Sequence, residues 1–380
     1  MKTLITNAHI ISPGIDIVGG SVLIEDSRII AVYQAGETAE ADKTIDAAGN
    51  MVLPGFIDIH SHGAGGCDVC DCKVESIRTI ADRKMQEGVT TWLPTTLTLG
   101  TNTLADVQRC VKEYAASPNG SKTPGVHLEG PYINPKQCGA QNPAFVRPAD
   151  MEEVAFLADI YPVHLITMAP ETPGAIDFIA QATSAGIVCS AGHSASSYDV
   201  FKKAKAAGLK HLTHFCNQMS AQHHREIGLV GSGMVDPDIK IELICDTIHL
   251  CSDMLKLTFT NKNISQLLMV TDSLACSWMP DGPGDLGGLP IFVEGGVARL
   301  ESGNLAGSTL RFAKGLQNVQ RITGMPLSEL VRATSYNQAQ SFGYNDLGKI
   351  APGFTADMVI LDDDFNTVST IIDGEVRFQA

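Results

Sequence analysis

The sequence predicts an α/β chain: a (β/α)8 barrel of the TIM type with a small β-sandwich domain built from both chain termini. Three observations predict it. Both ends of the chain are rich in short strand-like runs. Between them, short apolar runs alternate with longer helical stretches, the pattern of βα units on a parallel sheet. There are eight such units, the number that closes a barrel.

In chain order, the first residues read as strands at Leu4-Ile5, His9-Ile10-Ile11, Ser21 to Ile24 and Arg28 to Val32. Pro13-Gly14, Gly19-Gly20 and Glu25-Asp26-Ser27 separate them as turn signals. The texture changes at Pro54-Gly55. The eight barrel strands are expected at Phe56–His60, Val89–Leu93, Gly125–Leu128, His164–Met168, Ile187–Ser190, His211–His214, Ile239–Cys245 and Leu267–Thr271. Helices are expected over Ser76–Glu87, Leu104–Tyr114, Ala175–Ala185 and Ser197–Ala207, with Gly88, Gly186 and Gly208 where C-caps belong. Strand texture returns at Met358–Leu361, Val368–Ile372 and Val376–Phe378, with Asp373-Gly374 as a hairpin signal. The expected domains are therefore 1–52 with 348–380, and a catalytic barrel over 53–347. Strand order is not written in a sequence, so an open doubly wound sheet is the alternative.

The chain has 380 residues, 44% of them hydrophobic, enough for a large core. Its 27 basic and 42 acidic residues leave a net charge of −15. That balance, with no basic block, argues against nucleic acid and anionic membranes as partners. A few local cations could still hold an anionic small molecule. No run approaches the roughly 20 apolar residues of a membrane span. The stretch Met1 to Ala8 does not read as a signal peptide. Ten scattered cysteines suit a reducing compartment, so a cytoplasmic enzyme is expected.

Chemistry in a barrel sits where the strands end. Here those ends carry one kind of residue: Asp58-Ile59-His60-Ser61-His62, His127-Leu128-Glu129-Gly130-Pro131, Gly192-His193, Thr213-His214 and Thr271-Asp272. His60 and His62, two apart, point to one side of an extended segment. Imidazole nitrogen and carboxylate oxygen are what a borderline divalent metal accepts. The pair alone reads as two loop histidines; further histidines and carboxylates at later strand ends reverse that reading. Asp272 follows Leu-Met-Val-Thr and needs a charge partner, unless it caps a helix. Cys67, Cys70 and Cys72 read as free thiols, with a metal clip as the alternative. His223-His224 reads as a solvated pair or a substrate contact. Gly63, Gly65 and Gly66 lack the G-K-[ST] of a phosphate loop and read as close backbone approach.

These residues resemble the amidohydrolase superfamily, and within it the N-acetylglucosamine-6-phosphate deacetylases. The resemblance runs through Val52-Leu53-Pro54-Gly55-Phe56-Ile57-Asp58, His127-Leu128-Glu129-Gly130-Pro131, Gly192-His193, Thr213-His214, Asp246 to His249 and Thr271-Asp272. It continues through Leu305 to Ser308, Gly348 to Phe354 and Ala356-Asp357, covering nearly the whole chain. It implies that Glu129, His193 and His214 hold the main metal. His60 and His62 would help hold a second, with Glu129 bridging and Asp272 beside them. Asp272 would be the general base and then the general acid. The metal would be Zn2+, ahead of Fe2+, Mn2+ or Co2+, with one or two ions per subunit.

For the substrate end, the resemblance implies Gln141, Asn217, Gln218, Arg225 and His249. Arg225 and His249 fall where the family binds a sugar phosphate, and an arginine fork suits one; a surface ion pair is the other reading of Arg225. The family segment L-F-N-A-M is here Phe215-Cys216-Asn217-Gln218-Met219. Gln141 stands where many relatives have histidine, and Thr247 where glycine is usual. The expected reaction is hydrolysis of N-acetylglucosamine 6-phosphate to glucosamine 6-phosphate and acetate, by a homodimer. The alternatives are another N-acetylhexosamine, such as N-acetylgalactosamine 6-phosphate or an unphosphorylated sugar, and another amide such as a cyclic amide or dipeptide. A catalytically dead sugar-phosphate sensor is a third class, against which the retained ligand types and Asp272 argue.

Overall fold

The computed structural model describes residues 1–380. Its eight barrel strands are Phe56–Ser61, Val89–Thr96, Val126–Glu129, Val163–Met168, Val188–Ala191, His211–Leu212, Lys240–Ile244 and Leu267–Val270. Each pairs in parallel with the next in chain order, which excludes the doubly wound alternative. A helix follows each strand: Val74–Gln86, Thr101–Ala115, Met151–Ile160, Ala175–Ser184, Tyr198–Ala207, Gly228–Val235, Ser252–Asn261 and Phe312–Thr323. The predicted stops hold. Gly88, Gly186 and Gly208 take φ of 84°, 82° and 118° just past three of these helices, values that glycine adopts without a Cβ penalty.

Closure between the eighth and first strands is unlike the rest. Backbone bonds cross only at the strand ends, from Asp272 N to His60 O at 2.8 Å and from His62 N and Gly63 N to Ser273 O at 2.8 and 2.9 Å. Side chains do the remaining joining. Thr271 Oγ1 donates to Asp58 Oδ2 at 2.6 Å. Lys84, fully buried on the first helix, donates to Asp58 Oδ2, Thr271 Oγ1 and Ser273 Oγ at 3.0, 2.9 and 2.8 Å.

The lower barrel interior is apolar, filled by Ile57, Ile59, Leu93, Leu165, Ile244 and Leu268. The largest core lies between strands and helices, where Phe56 stacks on Phe312 at 4.8 Å and Trp92 is fully buried. The sixth strand is shorter than expected: only His211–Leu212 joins the ladder. His214 leaves it at φ 30°, which turns its side chain away from the strand's alternation. A three-stranded meander, Gly282–Leu286, Leu289–Glu294 and Val297–Leu300, follows the eighth strand. Its glycine- and proline-rich entry, Gly282-Pro283-Gly284, reads as loop, and the sequence reading did not assign it.

Both chain ends meet in one sheet. Its order is Glu375–Gln379, Thr367–Ile372, Met358–Leu361, Met51–Pro54, Lys2–Ser12, Ile15–Glu25 and Arg28–Tyr33, with Lys43–Asp46 also on Lys2–Ser12. Met51–Pro54 runs parallel to His9-Ile10 and antiparallel to Met358–Leu361. Ile5, Ile10, Val22, Ile24, Val52, Met358 and Ile371 give this sheet a core of its own. The chain enters the barrel at Gly55, where a Cβ would lie 2.2 Å from Thr90. No helix is long and apolar enough to cross a membrane.

Candidate metal centre

Six side chains from five strand ends converge at the barrel mouth. His60, His62, Glu129, His193, His214 and Asp272 are each at most 7% exposed. Alternation along the first strand brings His60 and His62 to the same side. Three of the six stand at strained backbone positions: His193, His214 and Asp272 have φ of 48°, 30° and 50°. Such conformations persist only where surrounding structure enforces them, and they cluster at functional sites.

Glu129 is the hub. Its Oε1 lies 3.2 Å from His193 Nε2, 3.1 Å from His214 Nε2 and 3.3 Å from His60 Nε2. Its Oε2 lies 3.1 Å from His62 Nε2. Asp272 Oδ1 is 3.5 Å from His60 Nε2 and 3.3 Å from His62 Nε2. Two ligand groups result, His60–His62–Glu129 and Glu129–His193–His214, sharing one carboxylate.

The partners on the far side of the rings tell which nitrogens carry protons. His62 Nδ1 donates to Thr95 O at 3.1 Å, and His193 Nδ1 to Gln137 O at 2.8 Å. His60 Nδ1 donates to Glu242 Oε2 at 3.0 Å. In a neutral ring the Nε2 atoms then bear lone pairs, and these face Glu129 and Asp272. Lone pairs opposed to carboxylates repel unless a cation lies between them. His60 Nε2 also has no hydrogen-bond partner, and the Nε2 atoms of His193 and His214 are only 3.1 Å apart. The donor set is therefore that of a divalent metal, nitrogen and carboxylate together.

The electrostatics say the same thing through protons. Burial works to lower the His62 pKa, but hydrogen bonds to Asp272 and Glu129 and their charges raise it to about 9. His60 is likewise raised, with burial outweighed by the charges of Glu129 and Asp272. Burial would push Glu129 up, yet His60 and the bonds from His193 and His214 hold it well below the usual carboxylate range. Asp272 is lowered too, with burial overcome by His60 and His62. The carboxylates call for positive charge, whether proton or metal.

Beneath the ligands lies a polar layer that sequence reasoning missed. Glu242, fully buried on the seventh strand, sits at 3.0 Å from His60 Nδ1 and 3.4 Å from His214 N. His127 bonds Thr167 Oγ1 at 2.8 Å and Thr95 Oγ1 at 3.3 Å, and burial with the nearby His60 charge lowers its pKa to about 3. The available signal for Glu242 was a lone carboxylate between Ile241 and Leu243.

Above the ligands opens a cavity of about 200 Å3. Gln141, Asn217, Gln218 and His249 all line it, together with Leu286 from the meander and Asn304. Gln141 Nε2 donates to Glu129 Oε2 at 2.5 Å, and its Oε1 accepts from Thr98 N at 2.7 Å. His249 Nδ1 donates to Asp246 Oδ2 at 2.7 Å. Burial opposes the charged form of His249, but that bond and the Asp246 charge raise its pKa, which favours a cation facing the cavity. Arg225 is not in the lining: it is exposed, with Nη1 2.6 Å from His224 Nε2. Gly307 and Ser308 pack behind Asp272; Ser308 N donates to Asp272 O at 2.7 Å. A larger cavity of about 650 Å3 lies to one side, lined by Asp68, Asp71, Asp281 and Asp285. It holds none of the converging histidines, so the chemistry belongs to the smaller one. Cys67, Cys70 and Cys72 are free and are not among the groups gathered at ligand distance.

A model of the amidohydrolase family matches residues 51–377, the barrel and the later strands of the terminal sheet from Met51–Pro54 onward. The chain belongs to that family. Among curated relatives, this amidohydrolase is 32% identical to the N-acetylglucosamine-6-phosphate deacetylase of Bacillus subtilis (strain 168), over 99% of this chain and 97% of that one. It is also 32% identical to the N-acetylgalactosamine-6-phosphate deacetylase of Escherichia coli O157:H7, over 86% and 87%. Among solved structures it is similar to the N-acetylglucosamine-6-phosphate deacetylase of Thermotoga maritima, with a TM-score of 0.90 and 35% identity over 99% of this chain and 100% of that one. Within the amidohydrolases the chain belongs to the N-acetylglucosamine-6-phosphate deacetylase family, and it is a metal-dependent hydrolase.

Proposed function

We propose that this amidohydrolase hydrolyses the acetamide of N-acetylglucosamine 6-phosphate, releasing acetate and glucosamine 6-phosphate. The observation that carries this reading is the Glu129-centred set with Asp272 beside it, opening into a cavity lined by His249. His60, His62, Glu129, His193, His214 and Asp272 would hold one or two divalent ions, with Zn2+ preferred for its nitrogen and carboxylate ligands. Such an ion would supply Lewis acidity toward the acetamide carbonyl and lower the pKa of the attacking water.

The chain's own part is positioning and proton transfer. Asp272, held ionised by His60 and His62, takes a proton as water adds to the carbonyl carbon. It then returns that proton to the amine nitrogen as the C–N bond breaks. Gln141, anchored by Thr98, lies against the ligand carboxylate and borders the acetyl end. Asn217 and Gln218 line the sugar, and His249 meets the phosphate. Arg225 lies outside this lining; a homodimer, which the resemblance implies, is the arrangement that would carry it to a partner's cavity. We treat residues 1–52 with 348–380 as the small β domain and 53–347 as the catalytic barrel. Ten cysteines, all free, support a reducing, cytoplasmic setting.

A second reading keeps the reaction and changes the sugar. The equal identity to an N-acetylgalactosamine-6-phosphate deacetylase favours it, as do Cys216 and Gln218 in the sugar-facing segment. A kinetic panel of N-acetylated hexosamines, each with and without the 6-phosphate, tests both. N-acetylglucosamine 6-phosphate should show the highest kcat/KM. Turnover indifferent to the phosphate would sink the phosphate assignment, and preference for the galacto epimer would install the second reading.

A further inference from the structure

We propose that Glu242 is a positioning residue that fixes His60 as an Nε2 donor and thereby decides whether the His60–His62 pair binds a metal ion. This rests on the reading given above, in its two-ion form. Glu242 is not among the residues lining the cavity above the ligands. It stands below the ligands, with Oε2 3.0 Å from His60 Nδ1, and is fully buried, as is His60.

A carboxylate at this place has no local reason to exist. Ile244, two residues on and so on the same face of the strand, is a buried apolar residue of the barrel interior, and another apolar residue would extend that lining. Burying a charge costs stability unless it is paired, and well-packed apolar replacements of buried ion pairs are often neutral or stabilising. Nor is Glu242 well satisfied by its surroundings. Its Oε1 has no hydrogen-bond partner; His211 Nδ1, also unpartnered, lies 3.9 Å away. The carboxylate is thus committed through one oxygen, to the His60 ring and, at longer range, to the His214 backbone N.

That commitment has a chemical result. A carboxylate accepting from Nδ1 pins the tautomer, fixes the ring plane and makes Nε2 more basic. Without it, a neutral His60 could carry its proton on Nε2, directed at Glu129 and Asp272, and would bind those carboxylates instead of an ion. The two ligand groups are not served alike. His193 has its own acceptor in Gln137 O and His62 in Thr95 O. Glu242 reaches His214 only through the backbone N, at 3.4 Å, and leaves that ring free. Loss of the carboxylate should therefore fall on one site.

The test is a titration of the metal-free full-length protein with Zn2+ against a competing chelator, for the native protein, Glu242→Gln and Glu242→Leu, with thermal unfolding of each metal-free protein. The native protein should take up two equivalents. In Glu242→Gln one equivalent should weaken about 10–100-fold, the other should be unchanged, and metal-free Tm should stay near native. In a His60→Asn background, Glu242→Gln should change neither equivalent further, since both changes act through one ring. Two unaltered equivalents in both Glu242 variants would overturn the proposal. So would equal weakening of both with a lowered metal-free Tm, which marks a residue of general structural importance. A native protein that takes up a single equivalent would overturn the two-ion reading first and this proposal with it.

Discussion

Two groups of buried charge lie a few residues apart in this barrel, and they are built on opposite plans. At the seam, the Lys84 ammonium meets Asp58, Thr271 and Ser273, so each of its three hydrogens has an acceptor. Asp58 in turn accepts from Thr271 Oγ1 through the other side of the seam. At the mouth, three imidazoles donate outward and turn their remaining nitrogens towards Glu129 and Asp272. The first group is complete within the protein; the second is complete only with added positive charge. Buried polar groups in folded chains are overwhelmingly partnered. A cluster that is not, beside one that is, separates charge kept for architecture from charge kept for chemistry.

The contrast breaks most decisively under chelation. Removal of divalent ions should abolish acetate release, with recovery on adding Zn2+, while the seam and the fold stay intact by circular dichroism. Full turnover in a metal-free preparation would show that the mouth needs no ion. Next comes Asp272→Asn, an amide that cannot act as a base near neutral pH. Turnover should fall roughly 10²–10⁴-fold at unchanged Tm, with metal content measured in the variant so that a lost ligand is not mistaken for a lost base.

Lys84→Met should do the reverse. It strands Asp58 in the interior, and breaking a buried pair by removing one partner costs about 3–5 kcal/mol. Denaturant unfolding reads that loss directly. A variant of native stability would mean that the seam's charges are no more than tolerated. The smallest effect is expected at Arg225→Ala, on the exposed loop. It should raise KM for the phosphorylated sugar and leave kcat and the unphosphorylated sugar almost untouched. Equal harm to both substrates would make Arg225 structural.

The legibility of these features follows the same division. Barrel strands could be read because apolar runs such as Leu267 to Val270 end in residues of another kind, and barrel chemistry is confined to strand ends. Glu129, His193, His214 and Asp272 are all visible by that rule. Glu242 escapes it because it sits inside a strand, where one glutamate among apolar neighbours looks like an exception to a pattern. Lys84 follows Arg83 near a helix end and reads as solvent-facing; only the closed ring shows that it points into the seam. The meander was hidden by Gly282, Gly284, Gly287 and Gly288, which signal turns more strongly than Ile291 and Val293 signal strands. Arg225 was singled out by position along the chain, and position does not reveal which copy's cavity a loop will face.

The strand Met51–Pro54 also bears on how the molecule is made. It leads directly into the barrel, yet one of its two neighbours, Met358–Leu361, is translated only after the entire barrel. Until that segment emerges, the growing polypeptide carries an open strand edge at the threshold of its catalytic half. Such edges invite pairing with other chains, and pairings so distant in sequence form slowly. The nascent protein is therefore exposed to misassembly for the whole time it takes to synthesise the barrel, and release from that hazard comes with one late strand.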